Sequence, residues 1–165
     1  MAESILLTPG ATREQTYQEL FPQIESVVMG ETHLVANLAN IAAMLREAFG
    51  FFWVGFYTKV EGKDELVLGP FQGPLACTRI PFSKGVCGAA ALTQEAQLVP
   101  NVNEFPGHIA CSSASQSEVV IPVVAEGTTQ LVLDVDSDQL DDFTQLDVEE
   151  LTKIMELVRK QHFVE

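Results

Sequence analysis

The stretch that most constrains the fold is residues 118–137, EVVIPVVAEGTTQLVLDVDS. It contains two runs of aliphatic residues, and the Glu-Gly pair between them predicts a tight β-hairpin turn. The second run alternates, so its residues divide between two faces: Leu131, Leu133 and Val135 on one, and Val132, Asp134 and Asp136 on the other. A sheet with an apolar face must be covered by other elements.

Helical patterns lie on both sides of the strand region. Residues 12–28 predict a helix broken near Pro22, because proline removes a backbone donor. Residues 31–50 carry the clearest apolar stripe at helical spacing, and residues 143–163 form a second amphipathic pattern. Strand patterns joined by short turns lie between them. This order predicts an α+β domain whose antiparallel sheet is covered by the N- and C-terminal helices.

The length fits one domain. The 165 residues are enough to bury a sizeable core. We expect residues 1–11 to be a flexible N-terminal arm and residues 12–165 to form a single domain, because we find neither a repeat nor a linker.

The charge balance excludes whole classes of partner. The chain has 9 Lys and Arg against 23 Asp and Glu, a net charge of −14. Nucleic acids and anionic membranes bind clustered cations, so neither is expected as a partner. We expect no signal peptide and no membrane-spanning run of about 20 apolar residues. The three cysteines lack paired spacing, which predicts reduced thiols and a cytoplasmic location.

The three cysteines differ in context. Cys87 opens an Ala-rich segment, which favours simple packing, because an unmodified cysteine behaves as a small buried hydrophobe. Cys111 follows His108 in a polar, Ser-rich loop close to Glu118, where a core role is less natural. Zinc is a competing interpretation, but structural zinc sites draw their ligands from closely spaced pairs that this chain lacks. The pattern therefore predicts no metal site.

Two further patterns have both structural and functional interpretations. Trp53, Gly55 and Tyr57 are predicted to share one strand face with Phe51, either as core or as an apolar slot that glycine opens for a thioether. Asp134 and Asp136 either face solvent or share a cation. Calcium is excluded, because an EF-hand loop needs Gly and Glu at two positions where this chain has glutamine.

Five segments together resemble the free methionine-R-sulfoxide reductases, which are single GAF domains. The resemblance runs from about Met29 to the last helix, and the segments are GETHLVANLANIAAML, WVGFY, LVLGPFQGPLACTRIPFSKGVCG, GHIACSSASQSEVVIPV and LVLDVDS. It implies a six-stranded antiparallel sheet with helices on one side, and a homodimer. It also implies reduction of the free R-sulfoxide of methionine without a cofactor, with thioredoxin as the reductant.

The resemblance also implies residue roles. Cys111 matches the family's nucleophile, Cys77 the thiol that resolves its sulfenic acid, and Cys87 a third cysteine without a settled role. The remaining matches form two groups: Trp53 and Tyr57 for the methyl-sulfoxide end of the substrate, and Glu118, Asp134 and Asp136 for its polar groups. This chain departs from the family at Leu131, where glycine is usual, and we expect that to change packing on the opposite face only.

The predicted chemistry needs a proton donor beside the thiol. Carboxyl groups crowded together raise one another's pKa, so Glu118 or one of the aspartates can stay protonated near neutral pH and donate to a sulfoxide oxygen. The substrate's ammonium would then offset part of the remaining negative charge. Two other functions stay open from the sequence: a non-catalytic GAF module that binds a small molecule, and a cysteine-based redox sensor.

Overall fold

The computed structural model describes residues 4–109 and 111–163, and within them the chain forms one sheet and the helices around it. The helices are α1 (Arg13–Met29), α2 (Leu34–Phe49), α3 (Gly85–Thr93) and α4 (Gln145–His162), with a single 3-10 turn at Val102–Glu104. The strands are β1 (Trp53–Lys59), β2 (Glu65–Gln72), β3 (Arg79–Pro81), β4 (Gln97–Val99), β5 (Ser117–Ala125) and β6 (Thr128–Ser137).

The six strands lie in the order β3-β2-β1-β6-β5-β4, with every neighbouring pair antiparallel. The predicted α+β class and six-stranded sheet are therefore confirmed. The hairpin joins β5 to β6 at Glu126 and Gly127, both of which have positive φ, at 52° and 72°. Two positive φ values in succession are typical of the type I′ turn, whose twist suits a two-residue hairpin.

The helices do not all cover one side of the sheet. Helices α1, α2 and α4 pack on one face, around the sheet residues Val54, Phe56 and Leu131. Helix α3 lies on the opposite face and contacts β5 and β6. This corrects the expectation of helices on one side only. The second face is partly open beside α3, and the open part forms the site described below.

Two local predictions were wrong. Helix α1 runs unbroken through Pro22, which lies on its exposed side, while Leu20, Ile24 and Val28 are fully buried beneath it. Burial of that stripe outweighs the loss of one backbone donor. The loop expected before α3 also contains the short strand β3, which pairs with β2 through Ile80 and Leu66.

The N-terminal segment lies against α1 where it is described. The backbone N–H of Leu6 donates to Gln23, and that of Thr8 donates to Glu19. Residues 1–3 of the predicted arm and residues 164–165 of the predicted domain lie outside the described residues. In residues 4–109 and 111–163, no helix is both long and apolar enough to cross a membrane.

Candidate active site

A cavity opens on the face of the sheet that carries α3. The space between its walls is about 560 Å³, a figure that includes open solvent at the mouth. Its walls combine aromatic and aliphatic side chains with a few polar groups. The lining comprises Phe52, Trp53, Tyr57, Leu75, Ala76, Ile80, Gly85, Val86, Cys87, His108, Ile109, Cys111, Ser112, Ser115, Glu118, Asp134 and Asp136.

The strand register brings the three predicted acids together on the cavity floor. Glu118 on β5 lies opposite Asp136 on β6, and the alternation of β6 places Asp134 on the same face. Glu118 and Asp134 are each only 6% exposed. The interpretation of Asp134 and Asp136 as a solvated strand end is therefore wrong for Asp134, which is buried, while Asp136 is half-buried in the cavity floor.

Burial sets the protonation of this cluster. Desolvation raises the pKa of Glu118 well above its usual range, and the charges of Asp134 and Asp136 add to that rise. Desolvation and the charge of Asp134 likewise raise the pKa of Asp136. The pKa of Asp134 rises less, to about 6, because burial is opposed by hydrogen bonding from Glu118 and Cys87. Burial therefore shifts all three acids toward the protonated form.

The acids differ in their hydrogen-bond partners. Ser115 Oγ donates to Asp136 Oδ1 at 2.6 Å. The Cys87 thiol donates to Glu118 Oε1 at 3.9 Å. Asp134 Oδ1 is buried without a partner among residues 4–109 and 111–163. A buried carboxylate oxygen without a donor is costly, which suits a site that receives a cationic group from outside.

Two of the cysteines are joined. Cys77 and Cys111 form a disulfide with their Cα atoms 5.3 Å apart, within the range expected for such a bond. Cys111 lies in the loop that precedes β5, and it also lines the cavity. The disulfide therefore ties this loop to the loop between β2 and β3 at the edge of the site. This agrees with the pairing that the family resemblance implies for the oxidised protein.

Cys87 lies apart from that bond. It is buried on α3, as the packing interpretation predicted. Desolvation raises its pKa well above the usual range, and the charges of Asp134, Glu118 and Asp136 add to the rise. Its sulfur is therefore a neutral thiol in this environment. His108 also lines the cavity, and burial lowers its pKa.

The aromatic residues of β1 form one wall, but not in the way the alternation predicted. Phe51 precedes the strand and packs in the core on the opposite face, with Phe49 and Phe143. The Trp53 and Tyr57 rings stack with their centroids 6.0 Å apart. The space above Gly55 is not an empty slot, because the Trp53 ring and Phe71 already fill it.

The polar atoms of this wall hold the segment that carries Cys77. Trp53 Nε1 donates to the carbonyl of Pro74 at 3.1 Å, and the Tyr57 hydroxyl donates to the carbonyl of Cys77 at 3.0 Å. Each side chain therefore presents an apolar ring to the cavity while its polar end fixes the adjacent loop.

Sequence reasoning gave no role to several lining residues, Ser115 among them, nor to Phe71, which packs behind Trp53. Ser115 binds Asp136, but nothing in the Ser-rich run distinguishes it from its neighbours. Phe71 stacks on Trp53 at 5.3 Å and lies opposite Gly55 in the β1–β2 register. Gly55 indicates that Phe71 packs on this wall only once the pairing of β1 with β2 is known.

Known proteins resemble this chain along most of its length. The family model described as GAF domain matches residues 31–159. GAF domain-containing protein A of Dictyostelium discoideum is 52% identical over 158 residues, which cover 96% of this chain and 99% of that protein. The free methionine-R-sulfoxide reductase of Escherichia coli is 40% identical over 149 residues, covering 90% and 89% of the two chains.

A solved structure agrees with these relatives. The X-ray structure of free methionine-R-sulfoxide reductase from Neisseria meningitidis in complex with its substrate is 51% identical to this chain. It superposes with a TM-score of 0.91, covering 94% of this chain and 93% of that one. The family match covers most of the chain, and the named reductases align over nearly their whole length. The chain belongs to the GAF-domain family and, within it, to the free methionine-R-sulfoxide reductases.

Proposed function

We propose that this protein is an oxidoreductase that reduces free L-methionine-R-sulfoxide to methionine, with Cys111 as the nucleophile and Cys77 as the resolving thiol. The observation that carries the proposal is the Cys77–Cys111 disulfide at the edge of a cavity floored by three acids. The named reductases among its relatives support the same reaction.

The reaction balances with the groups in the cavity. The Cys111 sulfur attacks the sulfoxide sulfur, whose oxygen is protonated, and the oxygen passes to Cys111 as a sulfenic acid while methionine leaves. The Cys77 thiol then displaces water from the sulfenic acid and forms the disulfide. An external dithiol reduces that disulfide by exchange, and thioredoxin is the physiological reductant we propose.

The electrostatics of the floor suggest a division of labour among the acids. Asp134, whose pKa is about 6, is a carboxylate at neutral pH, and its unpartnered oxygen suits the substrate's ammonium group. Burial and the charges of its acidic neighbours raise the pKa of Glu118 well above its usual range, which favours the protonated form. We assign Glu118 as the acid that donates a proton to the sulfoxide oxygen.

Recognition of the ammonium explains selection of the free amino acid. Methionine sulfoxide within a peptide has no charged amine at that position, so Asp134 would stay buried without a partner. Leaving such a group unpaired costs about 1–3 kcal/mol or more. That deficit corresponds to roughly tenfold to hundredfold weaker binding.

A redox sensor would also use a Cys77–Cys111 disulfide, and a non-catalytic module would also use the cavity. The two free methionine sulfoxide epimers, assayed separately with dithiothreitol, distinguish all three functions. We expect methionine from the R epimer only. Without a reductant, Cys77→Ser should form about one methionine per chain and stop at the sulfenic acid, whereas Cys111→Ser should form none. Undiminished turnover by Cys111→Ser would contradict the proposal, and so would wild-type protein that reduces neither epimer.

A further inference from the structure

The cavity floor holds a thiol and two carboxyl groups at close range. One ligand atom each from Cys87, Glu118 and Asp134 lies within 4.8 Å of the other two, and all three residues are buried. They come from α3, β5 and β6, far apart in the sequence. That is why the spacing of the cysteines alone indicated no metal site.

The distance between Cys87 and Glu118 is close to that between two ligands of a zinc ion. Zinc binds thiolate sulfur at about 2.3 Å and carboxylate oxygen at about 2.1 Å. In a tetrahedral site, the sulfur ligand and an oxygen ligand therefore lie about 3.6 Å apart. The Cys87 sulfur lies 3.9 Å from Glu118 Oε1. A small side-chain movement closes that difference. The cavity beside them has room for a water molecule as the fourth ligand.

The unpartnered oxygen that suits the substrate's ammonium would suit a metal cation as well. Asp134 is more than nine-tenths buried, and its Oδ1 has no hydrogen-bond partner in residues 4–109 and 111–163. A buried carboxylate oxygen without a donor is stabilised by a positive charge. The neighbouring thiol selects among cations, because a sulfur ligand favours zinc over magnesium or calcium, which prefer oxygen alone.

We propose that Cys87, Glu118 and Asp134 form a binding site for a zinc ion on the cavity floor. On binding, the zinc–sulfur bond forms as the Cys87 thiol releases its proton to solvent, Glu118 releases its carboxyl proton in the same way, and the two carboxylates complete the protein ligands. No electron transfer takes place. Because the ion sits on the floor, it excludes a small molecule from the same acids.

The oxidised protein isolates this site from the other thiols. The chain has three cysteines, and the Cys77–Cys111 disulfide leaves Cys87 as the free thiol. Metal binding can therefore be measured on a form that does not turn over, so the result does not depend on the proposed reductase activity.

Cobalt(II) added to the oxidised protein is the first probe, because thiolate ligation gives a sulfur-to-cobalt charge-transfer band. We expect the band to saturate at one ion per chain and to vanish when zinc displaces cobalt, since zinc binds the same ligands more tightly. Cys87→Ala should abolish the band, and Glu118→Gln should weaken zinc binding by at least about tenfold in calorimetry. Asp138→Asn, an exposed acid outside the cluster, is the matched control and should bind as wild type does.

Three outcomes would overturn the proposal: no charge-transfer band with the oxidised wild type, a band that persists in Cys87→Ala, or unchanged zinc affinity in Glu118→Gln. Far-ultraviolet circular dichroism shows whether each variant is folded. Cys87→Ala places another small residue in the Ala-rich helix α3, so its fold should be retained. Weak binding without a band would mean that the ion sits on exposed carboxylates of this acidic chain instead.

Discussion

Tyr57 combines two functions in one side chain. Its ring lines the cavity, and its hydroxyl donates to the carbonyl of Cys77 in the disulfide form. Tyr57→Phe keeps the ring and removes the hydrogen bond, whose net worth is about 0.5–1.5 kcal/mol. We therefore expect disulfide formation after one turnover to slow by about twofold to tenfold. Rapid-quench trapping of the sulfenic acid measures this directly.

The control for that variant is Tyr17→Phe. Tyr17 is equally buried, but its hydroxyl donates to Asp147 on the other side of the sheet. This variant should lose stability without changing the lifetime of the sulfenic acid. If both variants slowed disulfide formation alike, Tyr57 would not act through its bond to Cys77.

Asp134 should govern the acid side of the pH profile. With a pKa of about 6, it is ionised above that pH and loses its charge below it. If the carboxylate binds the substrate's ammonium, kcat/KM for the free sulfoxide should fall about tenfold for each pH unit below 6. Asp134→Asn should lower kcat/KM at neutral pH and remove this fall. A variant that kept the same acid limb would assign the limb to another group.

At the scale of an element, β1 depends on the absence of one side chain. A Cβ at Gly55 would lie 2.3 Å from Phe71 Cβ and 2.7 Å from the Trp53 ring. Gly55→Ala must therefore push β1 and β2 apart or displace the indole from the cavity wall. Overpacking of this kind costs typically 1–3 kcal/mol, so we expect a loss of about 2–3 kcal/mol in urea unfolding.

Gly30→Ala is the matched control for that substitution. Gly30 has an ordinary φ of −85°, and an added Cβ would approach nothing closer than 3.4 Å. It should change the free energy of unfolding by less than about 0.5 kcal/mol. An equally mild effect of Gly55→Ala would mean that the two strands yield easily.

Some elements could be predicted from the sequence, and others could not. The hairpin and helices α2 and α4 were predictable, because alternation, turn residues and helical stripes are local properties. Helix α1 was predicted wrongly at Pro22, since a local rule was outweighed by buried contacts with distant residues. The alternation of β6 predicted the face of the sheet on which Asp134 lies. Its burial could not be predicted, because α3 and the loop containing Cys111 cover it from elsewhere in the chain.

The same distinction holds for the site chemistry. The pairing of Cys77 with Cys111 came from the family resemblance, because a separation of 34 residues says nothing about contact. The approach of Cys87 to Glu118 depends on where α3 docks on the sheet. Such contacts require the packed molecule and have no signature in either segment alone.

At the scale of the whole molecule, the buried acids make stability depend on pH in a defined direction. Burial raises the pKa values of Glu118, Asp134 and Asp136 above those of an unfolded chain. Above pH 4 the folded protein therefore holds more protons than the unfolded one, and its free energy of unfolding falls as the pH rises through that window. The net charge of −14 acts in the same direction through self-repulsion.

Glu118→Gln tests this origin of instability. The amide keeps the shape of the side chain but never ionises, so the variant avoids the cost of burying a charge near Asp134 and Asp136 at high pH. We expect it to be more stable than wild type by about 1–3 kcal/mol at pH 8 and to lose most of that advantage by pH 4, where the acid is largely protonated in both states. Thermal unfolding across this range measures the difference, with Glu126→Gln in the exposed hairpin turn as the control. A gain independent of pH would point to improved packing, and a loss at pH 8 would mean that the carboxyl group stabilises the fold.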